Sequence, residues 1–195
     1  MDTIRSFIAI EIPPPLRSRL AELQLELKRA AADVKWVRPE GVHFTLKFLG
    51  SIGEDDVDRI SLALSPLVEK CPPFELRVKG LGGFPSSRNP RVIWVGMDQG
   101  TEVASSLQRE IEQKLSALGF PPETRPFSPH LTLGRIRSSK GMGSLAQSLQ
   151  TQKDVELGNF FAREVFLIKS DLQPSGAVYT KLGIFKMGEN QDHQK

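Results

Sequence analysis

Three histidines occur in the chain, and two of them lie in the same short phrase. "RPEGVHFTL", from Arg38 to Leu46, and "RPFSPHLTL", from Arg125 to Leu133, share Arg, Pro, His, Thr and Leu at matching places, with His43 and His130 87 residues apart. A lone H-x-T reads as a polar strand face closed by a hydrogen bond, but a matched pair drawn from so few histidines reads as a repeated functional unit. Both phrases have the apolar alternation of a strand, which puts His43, Thr45 and Lys47 on one face and Phe44, Leu46 and Phe48 on the other. In the second phrase His130 and Thr132 share a face, with Leu131 and Leu133 behind them. One face is core and the other is available for chemistry, and the repetition predicts a cleft with pseudo-twofold symmetry.

Two imidazoles facing one another suit phosphoester chemistry. A cyclic phosphodiester opens by in-line attack, so a base and an acid are needed on opposite sides of one phosphorus. Imidazole titrates at about 6.5, which lets one ring be neutral while the other is protonated, and a bell-shaped pH profile follows. The hydroxyls of Thr45 and Thr132 are placed to donate hydrogen bonds to non-bridging phosphate oxygens, as binders and not as nucleophiles. Arg135 follows the second motif and would clamp a phosphate; strict alternation turns it away from His130, and a bulge at Gly134 would turn it back. Lys47 has the favourable face. Arg38 and Arg125 each precede a proline that enforces extended backbone, and are read as structural. Trp36, Phe84 and Tyr179 are candidates to stack on a base. His193, in the polar C-terminal stretch, is assigned no role.

These residues need a frame. Residues 7 to 12 read as a buried strand ended by Pro13 to Pro15, followed by a helix carrying Leu16, Leu20, Leu23 and Leu27. A second helix follows "SIGEDD" with Val57, Ile60, Leu64 and Leu67, and Pro66 obscures its last turn. Strands are expected in "FELRVKGLGGF" and "RVIWVGM", then a helix with Val103, Leu107, Ile111 and Leu115, a strand at "HLTLGRIR" and a short helix around Leu145 and Leu149. The chain should close with a hairpin of "FFAREVFLIKSDL" and "AVYTKLGIFKM" turning at "QPSG". Interspersed strands and helices without a Rossmann glycine fingerprint favour an α+β fold with mainly antiparallel sheet.

Composition narrows the function classes. With 39% hydrophobic and 25% charged residues the chain has the makings of one globular unit, and a net charge of +3 is too mild for a protein that coats nucleic acid. The lone Cys71 cannot form an internal disulfide and suits a reducing cytoplasm. "FIAIEIP" is too short for a signal-peptide core or a membrane span, so neither export nor insertion is expected. "GLGGF" lacks the Lys and Ser or Thr of a triphosphate-binding loop and is read as a turn, and no third ligand accompanies the two histidines in the way a zinc hydrolase requires. Neither ATP, a metal nor any other cofactor is expected.

The two H-x-T phrases, with "RSFIAIEIP", "HFTLKFLG", "PFSPHLTLGR" and "SDLQPSGAVYTKL" in that order, resemble the 2H phosphoesterases, and within them the RNA 2′,3′-cyclic phosphodiesterases, also called 2′-5′ RNA ligases. The resemblance spans nearly the whole chain. It implies a bilobal α+β domain over residues 1–187, with two mainly antiparallel sheets related by a pseudo-twofold axis, helices on the outer faces, a central active-site cleft and a polar tail at 188–195. It further implies a 2′-phosphate product, His43 as proton donor and His130 as proton acceptor. RNA ends carrying a 2′,3′-cyclic phosphate, tRNA fragments among them, are the expected partner of a monomer that needs no protein partner or membrane. Competing readings are a non-catalytic RNA-binding module on the same fold, a predominant reverse ligation, and a small cyclic nucleotide as substrate.

Overall fold

The computed structural model describes residues 3–173 and 176–188. Pro174 and Ser175 of the expected turn, residues 189–195 of the expected tail, and with them His193, lie outside the described residues. Nine strands and four α-helices are formed among those described: β1 (Ile4–Glu11), α1 (Pro14–Lys28), β2 (Val34–Trp36), β3 (His43–Ile52), α2 (Glu54–Glu69), β4 (Phe74–Phe84), β5 (Val92–Gln99), α3 (Thr101–Ser116), β6 (His130–Ile136), α4 (Met142–Thr151), β7 (Glu156–Ala162), β8 (Glu164–Gln173) and β9 (Gly176–Lys186). Proline opens α1, where a missing N–H costs nothing. The Asp56 carboxylate accepts the Gly53 N–H at 3.0 Å and caps α2, which runs on through Pro66. In α3 the buried stripe is Ala104, Leu107, Ile111 and Leu115, while Val103 is exposed.

The α+β class with antiparallel pairing stands, but two separate sheets do not. All strands belong to one sheet in the order β7-β4-β5-β6-β3-β1-β8-β9, with β2 added alongside β6. The sheet is joined across its middle by the β3–β6 contact, whose single registered pair is Phe44↔Leu131. Those are the residues that follow each histidine, and pairing of equivalent positions is what a twofold relation across an antiparallel seam requires. Along that order four strands lie on either side of the seam, and β2 is the ninth, beside β6. Two local expectations also change. "GLGGF" is the end of β4 and not a turn, and "FFAREVFLIKSDL" is broken at Arg163 into β7, which pairs with β4, and β8, which pairs with β1 and β9.

All four helices feed one core. Leu16, Leu20 and Leu27 of α1, Ile60 and Leu64 of α2, Ile111 and Leu115 of α3, and Leu145 and Leu149 of α4 pack with Ile8, Ile10, Phe44 and Leu131 of the sheet. Strand alternation then sends Phe7 and Ala9 to the opposite face, where they join Phe166, Ile168 and Tyr179 in a small separate cluster. The helices therefore cover one face of one sheet, and the histidine motifs occupy its open face.

Candidate active site

Each motif strand carries a β-bulge at the same place. Ala9 pairs with Thr45 and Ile8 with Lys47, so Leu46 has no partner on β1. Trp94 pairs with Thr132 and Ile93 with Gly134, so Leu133 has no partner on β5. Leu46 and Leu133 are 87 residues apart, matching the histidines. An extra residue reverses the alternation beyond it. Lys47 is thereby turned to the helix side, where its ammonium contacts Glu112 at 2.7 Å and the Pro121 carbonyl at 2.9 Å. This corrects the placement of Lys47 beside His43. Phe48, expected in the core, is instead 60% exposed on the open face, its ring 6.1 Å from that of Phe7. Arg135 occupies the position equivalent to Phe48 and shares the face of His130, as a bulge near Gly134 requires.

The two imidazoles are held alike. His43 Nδ1 lies 2.8 Å from the Gly41 carbonyl and His130 Nδ1 2.6 Å from the Ser128 carbonyl. A carbonyl only accepts, so both Nδ1 atoms carry hydrogen and each Nε2 is left for proton exchange. Aromatic edges fix the rings: Tyr179 and Phe7 flank His43 at centroid distances of 4.9 and 5.6 Å, and Phe84 flanks His130 at 5.1 Å. Two of the three stacking candidates thus lie against the histidines. Trp36 does not; it packs against the core beneath Lys28.

The Phe44↔Leu131 register sets His43 opposite Thr132 and Thr45 opposite His130. The histidines are diagonal neighbours, which in an antiparallel sheet means Cβ atoms about 7–8 Å apart. Neither threonine hydroxyl has a hydrogen-bond partner among the described residues, and Arg135 is likewise without an ion pair there. One phosphorus between the rings would have an imidazole on each side and a hydroxyl beside each imidazole.

Burial lowers the pKa of both histidines below the ordinary imidazole value. Their charged neighbours differ. For His43 the Gly41 hydrogen bond and Glu11 oppose burial, while Arg17 and Lys181 act with it. Glu11 is paired with His43 across β1 and β3, and its carboxylate is 2.9 Å from Lys181 Nζ, which lies 4.4 Å above the Phe166 ring. For His130 the Ser128 hydrogen bond opposes burial, and the neighbouring charge is the cationic Arg135. Burial raises the pKa of Tyr179, against the cationic Arg5 and Arg135.

Sequence reasoning missed Glu11, Lys181, Phe48 and Lys35 as open-face residues. Glu11 left a signal, a lone charge interrupting "FIAIEIP". Phe48 left none, since only the bulge exposes it. Among the described residues no group of three or more His, Cys, Asp or Glu is placed to hold a metal ion, and no helix is long and apolar enough to cross a membrane.

Comparison with known proteins gives two consecutive matches to the family described as LigT like phosphoesterase, over residues 10–94 and 95–179, one for each motif. An RNA 2′,3′-cyclic phosphodiesterase of Methanothermobacter thermautotrophicus is 38% identical over 184 residues, covering 94% of this chain and 99% of that protein. One of Aquifex aeolicus is 35% identical over 189 residues, covering 96% and 100%. Among solved structures, TT0787 of Thermus thermophilus superposes with a TM-score of 0.76 at 28% identity, over 96% of this chain and 100% of that one. E. coli LigT complexed with 3′-AMP shares the fold, with a TM-score of 0.77 at 22% identity over 95% and 99%.

Proposed function

The chain belongs to the LigT-like phosphoesterases, and we propose from this that it hydrolyses RNA 2′,3′-cyclic phosphate ends to 2′-phosphomonoesters by two-histidine acid and base catalysis. The observation that carries the reading is the matched anchoring of His43 and His130 through Nδ1, which leaves two Nε2 atoms on one face of the seam. Water attacks phosphorus in line with the ribose 3′ oxygen; His130 Nε2 takes the water proton as the new P–O bond forms. The P–O3′ bond breaks, and His43 Nε2 gives its proton to the departing oxygen. Thr45 and Thr132 donate to the non-bridging oxygens, and Arg135 neutralises their charge. Release leaves His130 protonated and His43 neutral, and exchange with solvent resets the pair.

The charged surroundings support this division of roles. Glu11, against Arg17 and Lys181, favours a protonated His43, as a donor requires, and Arg135 favours a neutral His130, as an acceptor requires. The same transition state accepts an RNA 5′-hydroxyl in place of water, which would make a 2′-5′ linkage. The relatives' printed names as RNA 2′,3′-cyclic phosphodiesterases support RNA as the substrate class.

The test is incubation of the purified chain, in chelator and without nucleotide, with RNA ending in a 2′,3′-cyclic phosphate. A 2′-phosphate product is expected, with turnover falling by about 10²- to 10⁴-fold in His43→Ala and in His130→Ala. Binding without turnover would replace the enzyme by an RNA-binding module, and a 3′-phosphate product would reverse the leaving group.

A further inference from the structure

The geometry points to a second phosphate site on the open face, with Lys35 on β2, beside Arg135, binding the phosphodiester that joins the terminal nucleotide to the rest of a single-stranded RNA. This rests on the proposed function and names what extends the substrate beyond its cyclic phosphate.

Lys35 is registered directly opposite Arg135 between β2 and β6. Directly opposed residues of an antiparallel pair share a face, with Cβ atoms about 4.5–5.5 Å apart. The face is identified by Gly134, where an added Cβ would come within 2.6 Å of Val34 Cγ1 and 3.2 Å of Trp36 Cε3. Val34 and Trp36 pack against the helix-side core, so Lys35, between them in sequence, faces the open side with Arg135.

Like charges directly opposed in a sheet are destabilising unless something neutralises them. Both side chains are exposed, and neither has an ion pair among the described residues. The nearest acid in sequence, Asp33, contributes only backbone bonds, to Lys140 and Arg137. Several other strand cations are matched, Arg77 by Asp98, Lys79 by Asp98 and Glu156, Lys169 by Asp171 and Lys181 by Glu11, while Arg5 and Lys186 stand opposite Ser51 and Glu164 and not opposite a second cation. The exposed Arg91, whose carbonyl accepts the Ile136 N–H, adds positive charge at the same end of β6. An anion is the missing partner.

That anion is a second phosphate and not the scissile one. Arg135 shares the face of His130 on β6, whereas Lys35 sits on β2, which pairs with Gly134 to Ile136 at the end of β6 away from His130. A cyclic mononucleotide has no phosphate to reach that strand, and an oligonucleotide does. The contact supplies local affinity for a polymer that the small net charge of +3 does not.

The experiment compares wild type, Lys35→Met and Lys35→Glu on a nucleoside 2′,3′-cyclic monophosphate and on a short single-stranded RNA with the same end, at rising NaCl. In Lys35→Met, kcat/KM on the RNA should fall about 5-fold through KM, and the slope of its logarithm against log salt should flatten by about 0.7, one phosphate contact on a single strand. Turnover of the mononucleotide should be unchanged, and Tm should hold or rise as a like-charge contact is removed. Equal loss on both substrates would put Lys35 at the scissile phosphate and overturn the inference, as would no loss on either. Failure of the wild type to turn over either substrate would defeat the proposed function instead. The affinities of wild type and Lys35→Glu for that RNA, read by fluorescence anisotropy, then still decide: weaker binding by the variant supports the contact and equal binding overturns it.

Discussion

Replacing Lys47 by Met should weaken the fold while leaving catalysis intact, because the bulge at Leu46 makes this motif-strand lysine a buried strut. Its side chain is 1% exposed and that of Glu112 is 14% exposed, and their charged atoms are 2.7 Å apart. Met matches the length of the stem but strands the carboxylate with two weak donors, Gln108 Nε2 and the Glu123 N–H, each at 3.3 Å. Removing one partner of a fully buried pair costs about 3–5 kcal/mol; partial access of water to Glu112 brings the loss to about 2–3 kcal/mol. For a chain of this length that is a fall of about 5–10 °C in Tm. Urea unfolding should show a lower midpoint at unchanged slope, and kcat/KM at 25 °C should stay within about twofold, since a domain with about 5–15 kcal/mol of stability remains folded. Adding Glu112→Gln, which removes the stranded charge and keeps a carbonyl oxygen for one of the two donors, should recover part of the loss. A Lys47→Met protein with unchanged Tm and more than tenfold lower activity would refute the assignment of Lys47 to the helix side.

Arg135→Met should do the opposite, lowering kcat/KM by about 10²-fold with Tm held or raised, because the proposed partner of its charge is a phosphate and the substitution also removes a like-charge contact with Lys35; Arg135→Lys should restore activity only in part, which steady-state kinetics would check. Glu11→Gln removes a charge that favours protonated His43, so the His43 ring, followed by NMR, should lose its proton at lower pH. If His43 is the donor, the alkaline limb of kcat/KM against pH shifts to lower pH while the acid limb stays; movement of the acid limb would exchange the two roles. Both imidazoles have folded pKa values below the ordinary value of about 6.5, so the unfolded chain binds more protons in the window just beneath it. Their contribution to stability should therefore be full above about 6.5 and be lost as pH falls through that window, and urea unfolding should show this component absent from a His43→Ala, His130→Ala double variant.

How much of the site could be read from sequence depended on whether its chemistry repeats. His43 with Thr45 and His130 with Thr132 were legible because strand alternation holds over three residues, and the structure puts all four on one face. Beyond Thr45 and Thr132 alternation fails at Leu46 and Leu133, and a bulge has no hydropathic mark of its own. Lys47 and Phe48 were accordingly assigned to each other's faces, while Gly134, the residue that lets β2 approach β6, hinted at the irregularity that turns Arg135 inward. Helices were legible to within a few residues, since burial of one stripe dictates their period. The path of the chain through the sheet was not: β2 is too short to show a period, and the separation of β7 from β8 turns on the single residue Arg163, within an otherwise uniform apolar run.

The two bulges also account for how a repeated unit performs an unrepeated reaction. They bring Phe48 and Arg135 to equivalent places on the open face, one apolar and one cationic. Beside them the charge divides the same way, with Glu11 next to His43 and Arg135 next to His130. Symmetry supplies two imidazoles with identical anchors, and could not by itself say which gives a proton. The charged side chains that break it differ: beside His43, Glu11 opposes burial while Arg17 and Lys181 act with it, and beside His130, Arg135 acts with burial. Lys35 on β2 adds to the positive side, so the proposed proton roles and the proposed path of the RNA would rest on the same departures from symmetry.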